Sequence, residues 1–100
     1  MIKHVVMWKL KEMEAGEKEK VISDMKEGLE KLAGCISGLE DIQVGADFLK
    51  SEQSYDVVLV SAHTSKEALE AYQAHPLHVE AAVNLVKPFA VKRVSVDFEY

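Results

Sequence analysis

The stretch "AYQAHPLHVEAAV", residues 71–83, gathers side chains that move protons: Tyr72, His75 and His78 stand around Pro76. An imidazole titrates near neutrality and can take up or release a proton. A phenol can hydrogen-bond to a carbonyl or enolate oxygen. His75 and His78 are three residues apart, a spacing that could bring both near one ion on a helix. No H-E-x-x-H pattern and no acid at a matching position completes such a site, so no metal is expected. There is no glycine-rich phosphate loop and no serine or cysteine nucleophile in a recognisable setting. His75 reads as a cap of the helix that Pro76 begins. His78 falls in that helix's first turn, where the positive helix end disfavours an imidazolium. Of the other two histidines, His63 should end a strand, exposed and without a role. On spacing alone the cluster is open to a structural and to a catalytic reading.

The elements that must position these residues are legible as periodicities. Residues 2–11 alternate: Ile2, His4, Val6, Trp8 and Leu10 share one face, and Lys3, Val5, Met7 and Lys9 the other. The first face is the more continuously apolar and should look toward helices, so His4 there needs a polar partner. Val5 and Met7 make the second face apolar at its centre, which a strand with one wet face would not need. Residues 16–34 carry Val21, Ile22, Met25, Leu29 and Leu32 at helical spacing, with Gly34 and Gly38 bracketing the stop. Residues 39–48 read as a strand bulged at Gly45. Residues 55–63 read as a strand whose run Val57–Val60 is apolar on both faces. Thr64 and Glu67 form a T-x-x-E capping box, which starts a helix at Ser65 that runs to about Ala74. Pro76 suits the first turn of a following helix bearing Val79, Ala82, Val83 and Val86, and Pro88 ends it. Residues 90–98 alternate again, Lys92, Val94, Val96 and Phe98 against Val91, Arg93, Ser95 and Asp97.

The order β-α-β-β-α-β, with its second helix broken in two, is the ferredoxin-like one. It implies an α+β fold: a four-stranded antiparallel sheet with helices on one face, in a single domain over residues 1–100. The other face is partly apolar, and a second copy of the chain is its simplest cover. A homodimer with sheets face to face is therefore expected.

Composition sets the class. Apolar residues make up 48% and charged residues 29%, the balance of an ordinary globular protein. A net charge of −5 argues against nucleic acid and against anionic membranes as partners. No apolar run approaches the roughly 20 residues of a membrane span, and Lys3, Lys9 and Lys11 interrupt any signal-peptide core. A cytoplasmic, reducing location is expected. Cys35 is the only cysteine and reads as a small, half-buried hydrophobe at a helix end.

The segments "IKHVVMWKLK", "YDVVLVSAHTSKEALEAYQAHPLHVEAA" and "VKRVSVDF" resemble the stress-responsive dimeric α/β-barrel (Dabb) domain over essentially the whole chain. K-H-[VI]-V and Y-x-x-H-P-x-H-V are the most specific parts. The resemblance implies a ferredoxin-like monomer whose sheet closes with that of a second copy into a barrel-like dimer. It does not imply one activity. Members include heat-stable stress proteins and a plant polyketide cyclase that closes a linear poly-β-keto thioester by aldol condensation. The cyclase's catalytic tyrosine and histidine match Tyr72 and His78, its strand-1 pocket histidine matches His4, and its histidine before proline matches His75. A further pocket histidine of the cyclase is Val57 here, and the first helix offers no aromatic pocket residues, which implies a less polar pocket of different size. Some relatives hold a cation on main-chain carbonyls after the first helix, which would correspond to about Ala33–Leu39.

The resemblance thus implies a homodimer that binds a small apolar molecule, with His4, Val6, Trp8, Val57, Leu59 and His75 around the ligand. The alternative is a cofactor-independent cyclase, lyase or isomerase in which His78 removes a proton next to a carbonyl and Tyr72 stabilises the enolate oxygen. A third reading, a monooxygenase, would use His78 as haem ligand or Trp8 as a cavity wall, and no motif supports it.

Overall fold

A computed structural model describes residues 1–100. The chain runs β1 (Ile2–Leu10), α1 (Ala15–Glu30), β2 (Leu39–Ala46), β3 (Val57–His63), α2 (Lys66–Ala74), α3 (Pro76–Ala81), a π-helical turn (Ala82–Val86) and β4 (Ala90–Glu99). The four strands form one antiparallel sheet in the order β2-β3-β1-β4, the ferredoxin-like arrangement. No helix is long and apolar enough to cross a membrane.

The alternation of β1 divides the molecule. His4, Val6, Trp8 and Leu10 are buried beneath the helices. Val21, Met25 and Leu29 come down on them from α1, and Met25 is fully buried. The opposite face carries no helix. There Val5 lies across from Val96, and Met7 from Val94, with Phe98 beyond. Val96 is 62% exposed and Phe98 47%, so apolar side chains cover a face that nothing in the chain shields.

Two acidic groups tie α1 to the sheet. Asp56 accepts from the Leu10 amide at 2.7 Å and from Lys18 at 3.1 Å. Burial pushes its carboxyl upward, but these donors outweigh that and hold it below the ordinary range. Glu30 accepts from Lys26 at 2.7 Å and from the Val44 amide at 2.9 Å, which likewise lowers its pKa.

Several boundaries differ from expectation. Helix α1 ends at Glu30, and residues 31–38 wind through turns. The irregularity in β2 lies between Leu39 and Asp41, whereas Gly45 pairs in register with Val58. Ser65, not Thr64, caps α2: its backbone is extended and its hydroxyl accepts from the Ala68 amide at 3.0 Å. The Thr64 amide instead donates to the Gly38 carbonyl at 2.9 Å. Val79 and Val83 are each 45% exposed, and Ala81, Leu85 and Val86 take the core-facing place. The π turn, closed by the Lys87 amide donating to the Ala82 carbonyl, holds more residues per turn than an α-helix, so an i, i+3, i+4, i+7 count drifts off the buried face. Cys35 is exposed, because α1 has ended before it and it sits in the turn region.

Gly34 and Gly38 hold φ of 78° and 86°, the left-handed region that side chains resist. A Cβ at Gly34 would meet nothing within 4 Å, whereas one at Gly38 would lie 2.6 Å from the Ala68 Cβ. Gly34→Ala should therefore cost about 1 kcal/mol, from backbone strain alone. Gly38→Ala should cost about 3 kcal/mol, because crowding against α2 adds to that strain. Urea denaturation of both variants checks this, and equal losses would contradict it.

Candidate functional site

Between the sheet and the broken helix lies a cavity of about 190 Å³. Its wall includes His4, Val6 and Trp8 from β1, Leu59 from β3, Tyr72 from α2 and His78 from α3. Leu29 of α1 and Ala82 and Val86 of the π turn complete the apolar part. Lys87 and Arg93 are its charged members. Of the residues expected around a ligand, Val57 and His75 stand outside this wall. Val57 is 2% exposed, packed in the core. The His75 Nδ1 accepts from the Leu77 amide at 3.1 Å and caps α3.

The break at Pro76 creates the central contact. His75 is extended, with ψ of 134°, so α2 stops and α3 departs in a new direction. Tyr72 and His78, six positions apart in sequence, then lie with ring centroids 4.4 Å apart. His75 and His78 turn to different partners. No group of three histidines, cysteines or carboxylates gathers in a metal-binding arrangement.

Each ring is held in a definite state. The His78 Nδ1 lies 3.2 Å from the Gln73 carbonyl oxygen. A carbonyl only accepts, so Nδ1 carries the proton and Nε2 of the neutral ring presents a lone pair. Burial pushes the His78 pKa below its ordinary value, against the opposing pull of that carbonyl. Burial, rather than the helix end, is thus the main reason the ring is neutral. Tyr72 is 1% exposed, and burial raises its hydroxyl pKa to about 12. It stays protonated at neutral pH and keeps its O–H as a hydrogen-bond donor. His4 is the 4% exposed polar member of β1, and its partner is Asp97, whose carboxylate Oδ1 accepts from Nδ1. The pair spans the β1–β4 register, in which His4 lies opposite Asp97. This fixes the ring's orientation and leaves Nε2 as its free nitrogen.

His63 is the main correction. Expected to be exposed and idle, it is fully buried, with its ring centroid 4.8 Å from that of Tyr72 and 6.3 Å from that of His4. It ends β3, but α2 folds back over that end and seals it from solvent. Its Nε2 lies 2.9 Å from the Ser61 hydroxyl, and its Nδ1 has no partner. Period-two counting from Leu59 through Ser61 would have placed it on the helix face. Asp97 is a further member of the site that residue spacing does not mark, since only the β1–β4 register brings it to His4.

Burial, followed by the nearby His4, pushes the His63 pKa down to about 4. The unfolded chain binds this proton near the ordinary value of 6.5, so protonation favours unfolding between those limits. The stability is fully present above pH 6.5 and is lost as pH falls toward about 4, by about 3 kcal/mol. His78, also depressed, acts with the same sign, whereas Glu30 and Asp56 act at lower pH. Urea denaturation across pH 4.5–7 should show the decline in the wild type and a shallower one in His63→Gln. Parallel profiles would contradict it.

A family model described as the Stress Responsive A/B Barrel Domain (Dabb) matches residues 2–100. A dimeric ferredoxin-like protein of unknown function from Bacteroides fragilis is 29% identical over 99% of this chain and 95% of that one, with a TM-score of 0.90. A dimeric ferredoxin-like protein of unknown function from Thermobifida fusca is 27% identical over 99% and 90%, with a TM-score of 0.79. The hydroxynitrile lyase of Passiflora edulis is 17% identical over 97% and 90%, with a TM-score of 0.72, a likeness of fold alone. A comparison with curated protein sequences finds no match. With the ferredoxin-like topology and a family match that runs almost end to end, the chain belongs to the stress-responsive A/B barrel (Dabb) domain family.

Proposed function

We propose that this chain binds a small, largely apolar carbonyl compound in the cavity and moves a proton at the carbon beside the carbonyl, without a cofactor. The observation that carries this is the contact, at 4.4 Å between ring centroids, of a neutral imidazole that accepts through Nε2 and a phenol that stays protonated. The His78 Nε2 takes the α proton. The electron pair of the broken C–H bond moves into the enolate, whose oxygen accepts a hydrogen bond from Tyr72. The enolate carbon then recovers the proton from His78, or attacks a second carbonyl of the same molecule whose oxygen takes that proton, or the enolate collapses and a leaving group departs from the β carbon with its electron pair and that proton: isomerase, cyclase or lyase chemistry in turn. His4, anchored by Asp97, orients the ligand or His78. The size fits a small occupant, since an apolar cavity of about 150 Å³ admits benzene.

Binding without turnover is the second reading. The packing of His4, His63, Tyr72 and His78 ring against ring favours it, as a buried polar cluster that joins sheet to helix. The two readings part on exchange. In D2O, the wild type should place deuterium beside the carbonyl of phenylacetone. His78→Asn should slow this about 10² to 10⁴-fold, and Tyr72→Phe about 10²-fold. Proton NMR follows the loss of signal, and undiminished exchange in His78→Asn would refute the base.

We further infer a homodimer through the bare sheet face, in a cytoplasmic setting. The apolar row Val94, Val96 and Phe98 supports the dimer, as do the relatives from Bacteroides fragilis and Thermobifida fusca, which are described as dimeric. Val96→Lys would put a buried, unpaired charge in such an interface. Sedimentation velocity should show a dimer for the wild type and a monomer for the variant. A monomeric wild type would refute it.

A further inference from the structure

The cavity opens toward β4, and what surrounds the opening is not typical of this molecule. A second depression of about 270 Å³ shares Trp8, Val86, Lys87 and Arg93 with the inner cavity and adds Lys92. The two walls together hold three cationic side chains and no carboxylate. The chain as a whole has 17 acidic against 12 basic residues, so an all-cationic rim runs against its composition. Nor are these cations held by acids. The chain's five ion pairs use other residues throughout, and Lys87, Lys92 and Arg93 take part in none.

Their placement comes from the fold. Arg93 lies opposite Trp8 in the β1–β4 register and on the same row of β4 as Asp97, the row that faces the helices. Lys87 directly follows the π turn, and its backbone is fixed by the hydrogen bond its amide donates to the Ala82 carbonyl. One side chain from the sheet and one from the helical segment therefore flank the same opening.

We propose that this rim selects carbonyl compounds that carry a carboxylate: the apolar part and the reacting carbonyl enter the cavity, and the carboxylate stays at the mouth on Arg93 and Lys87. This rests on the binding of a carbonyl compound in the cavity and names its class, an oxo acid. The Arg93 guanidinium offers the planar fork that matches a carboxylate, and Lys87 adds a point charge. A phosphate fits less well. A phosphate, more fully charged, would lose more on leaving water and would meet the outward carbonyls at this C-terminal end of a helical segment with a larger charge than a single carboxylate does. Lys92 contributes to the field without defining a geometry.

The test uses levulinate and its uncharged amide, which are nearly equal in shape. Titrations of the full-length protein followed by NMR should give levulinate a dissociation constant about tenfold below that of the amide, as for a charge-assisted pair. The preference should shrink as salt rises. It should fall severalfold in Arg93→Gln and vanish in the Arg93→Gln/Lys87→Gln double variant. Both substitutions lie at exposed positions, and melting curves by circular dichroism confirm that the fold persists. Equal affinity for acid and amide in the wild type, binding of neither, or a preference that survives the double variant would each overturn the proposal. Deuterium exchange separates this from the proton-transfer reading. If acid and amide bind alike and both exchange through His78, charge selection fails and the chemistry stands. If levulinate is preferred through Arg93 but exchange is indifferent to His78, the chemistry fails and charge selection stands.

Discussion

The pairing of β1 with β4 is the constraint on which the site depends. In a ferredoxin-like sheet the first and last strands lie side by side, and here the register sets His4 opposite Asp97 and Trp8 opposite Arg93. A shift of one residue would turn both β4 groups to the other face. His4 would then be a buried imidazole without a partner, and the cavity rim would lose Arg93. The same register sets Val5 against Val96 and Met7 against Val94 on the bare face. One alignment thus serves a polar arrangement on one side of the sheet and an apolar one on the other.

On the helix side, burial does most of the electrostatic work. It pushes imidazoles toward neutrality and the phenol away from ionisation, so His78 keeps a free lone pair and Tyr72 keeps its proton. Geometry then assigns the protons, since the Gln73 carbonyl occupies one nitrogen of His78 and Asp97 one nitrogen of His4. No strong ion pair is needed at the centre. The only carboxylate joined to the cluster is Asp97, which lies at its edge with its side chain 43% exposed.

Much of this could be read from the chain because local periodicity carries it. The two faces of β1, the stripe Val21, Met25 and Leu29, and the helix break at Pro76 follow from residue spacing and from proline's missing amide hydrogen. What could not be read depends on distant partners. His63 is buried because α2 folds over the end of β3, and a strand end by itself says nothing of its cover. Asp97 belongs to the site only through the register of two strands more than eighty residues apart. The exposure of Val83 beside the buried Val86 reflects a π turn that helical counting assumes away. Val57 and His75 carry the right chemistry for a pocket wall, but one is held in the core and the other by a cap.

The segment Val96–Asp97–Phe98 belongs to two structures at once. Asp97 points to the helix side and anchors His4, while its neighbours point to the bare face. Strand β4 is an edge strand, bonded to β1 along one side only, and edges loosen before centres do. Whatever rests on Val96 and Phe98 therefore also steadies Asp97, and through it the ring of His4. The cover of the bare face and the order of the cavity become a single mechanical property, carried by the alternation of three consecutive side chains.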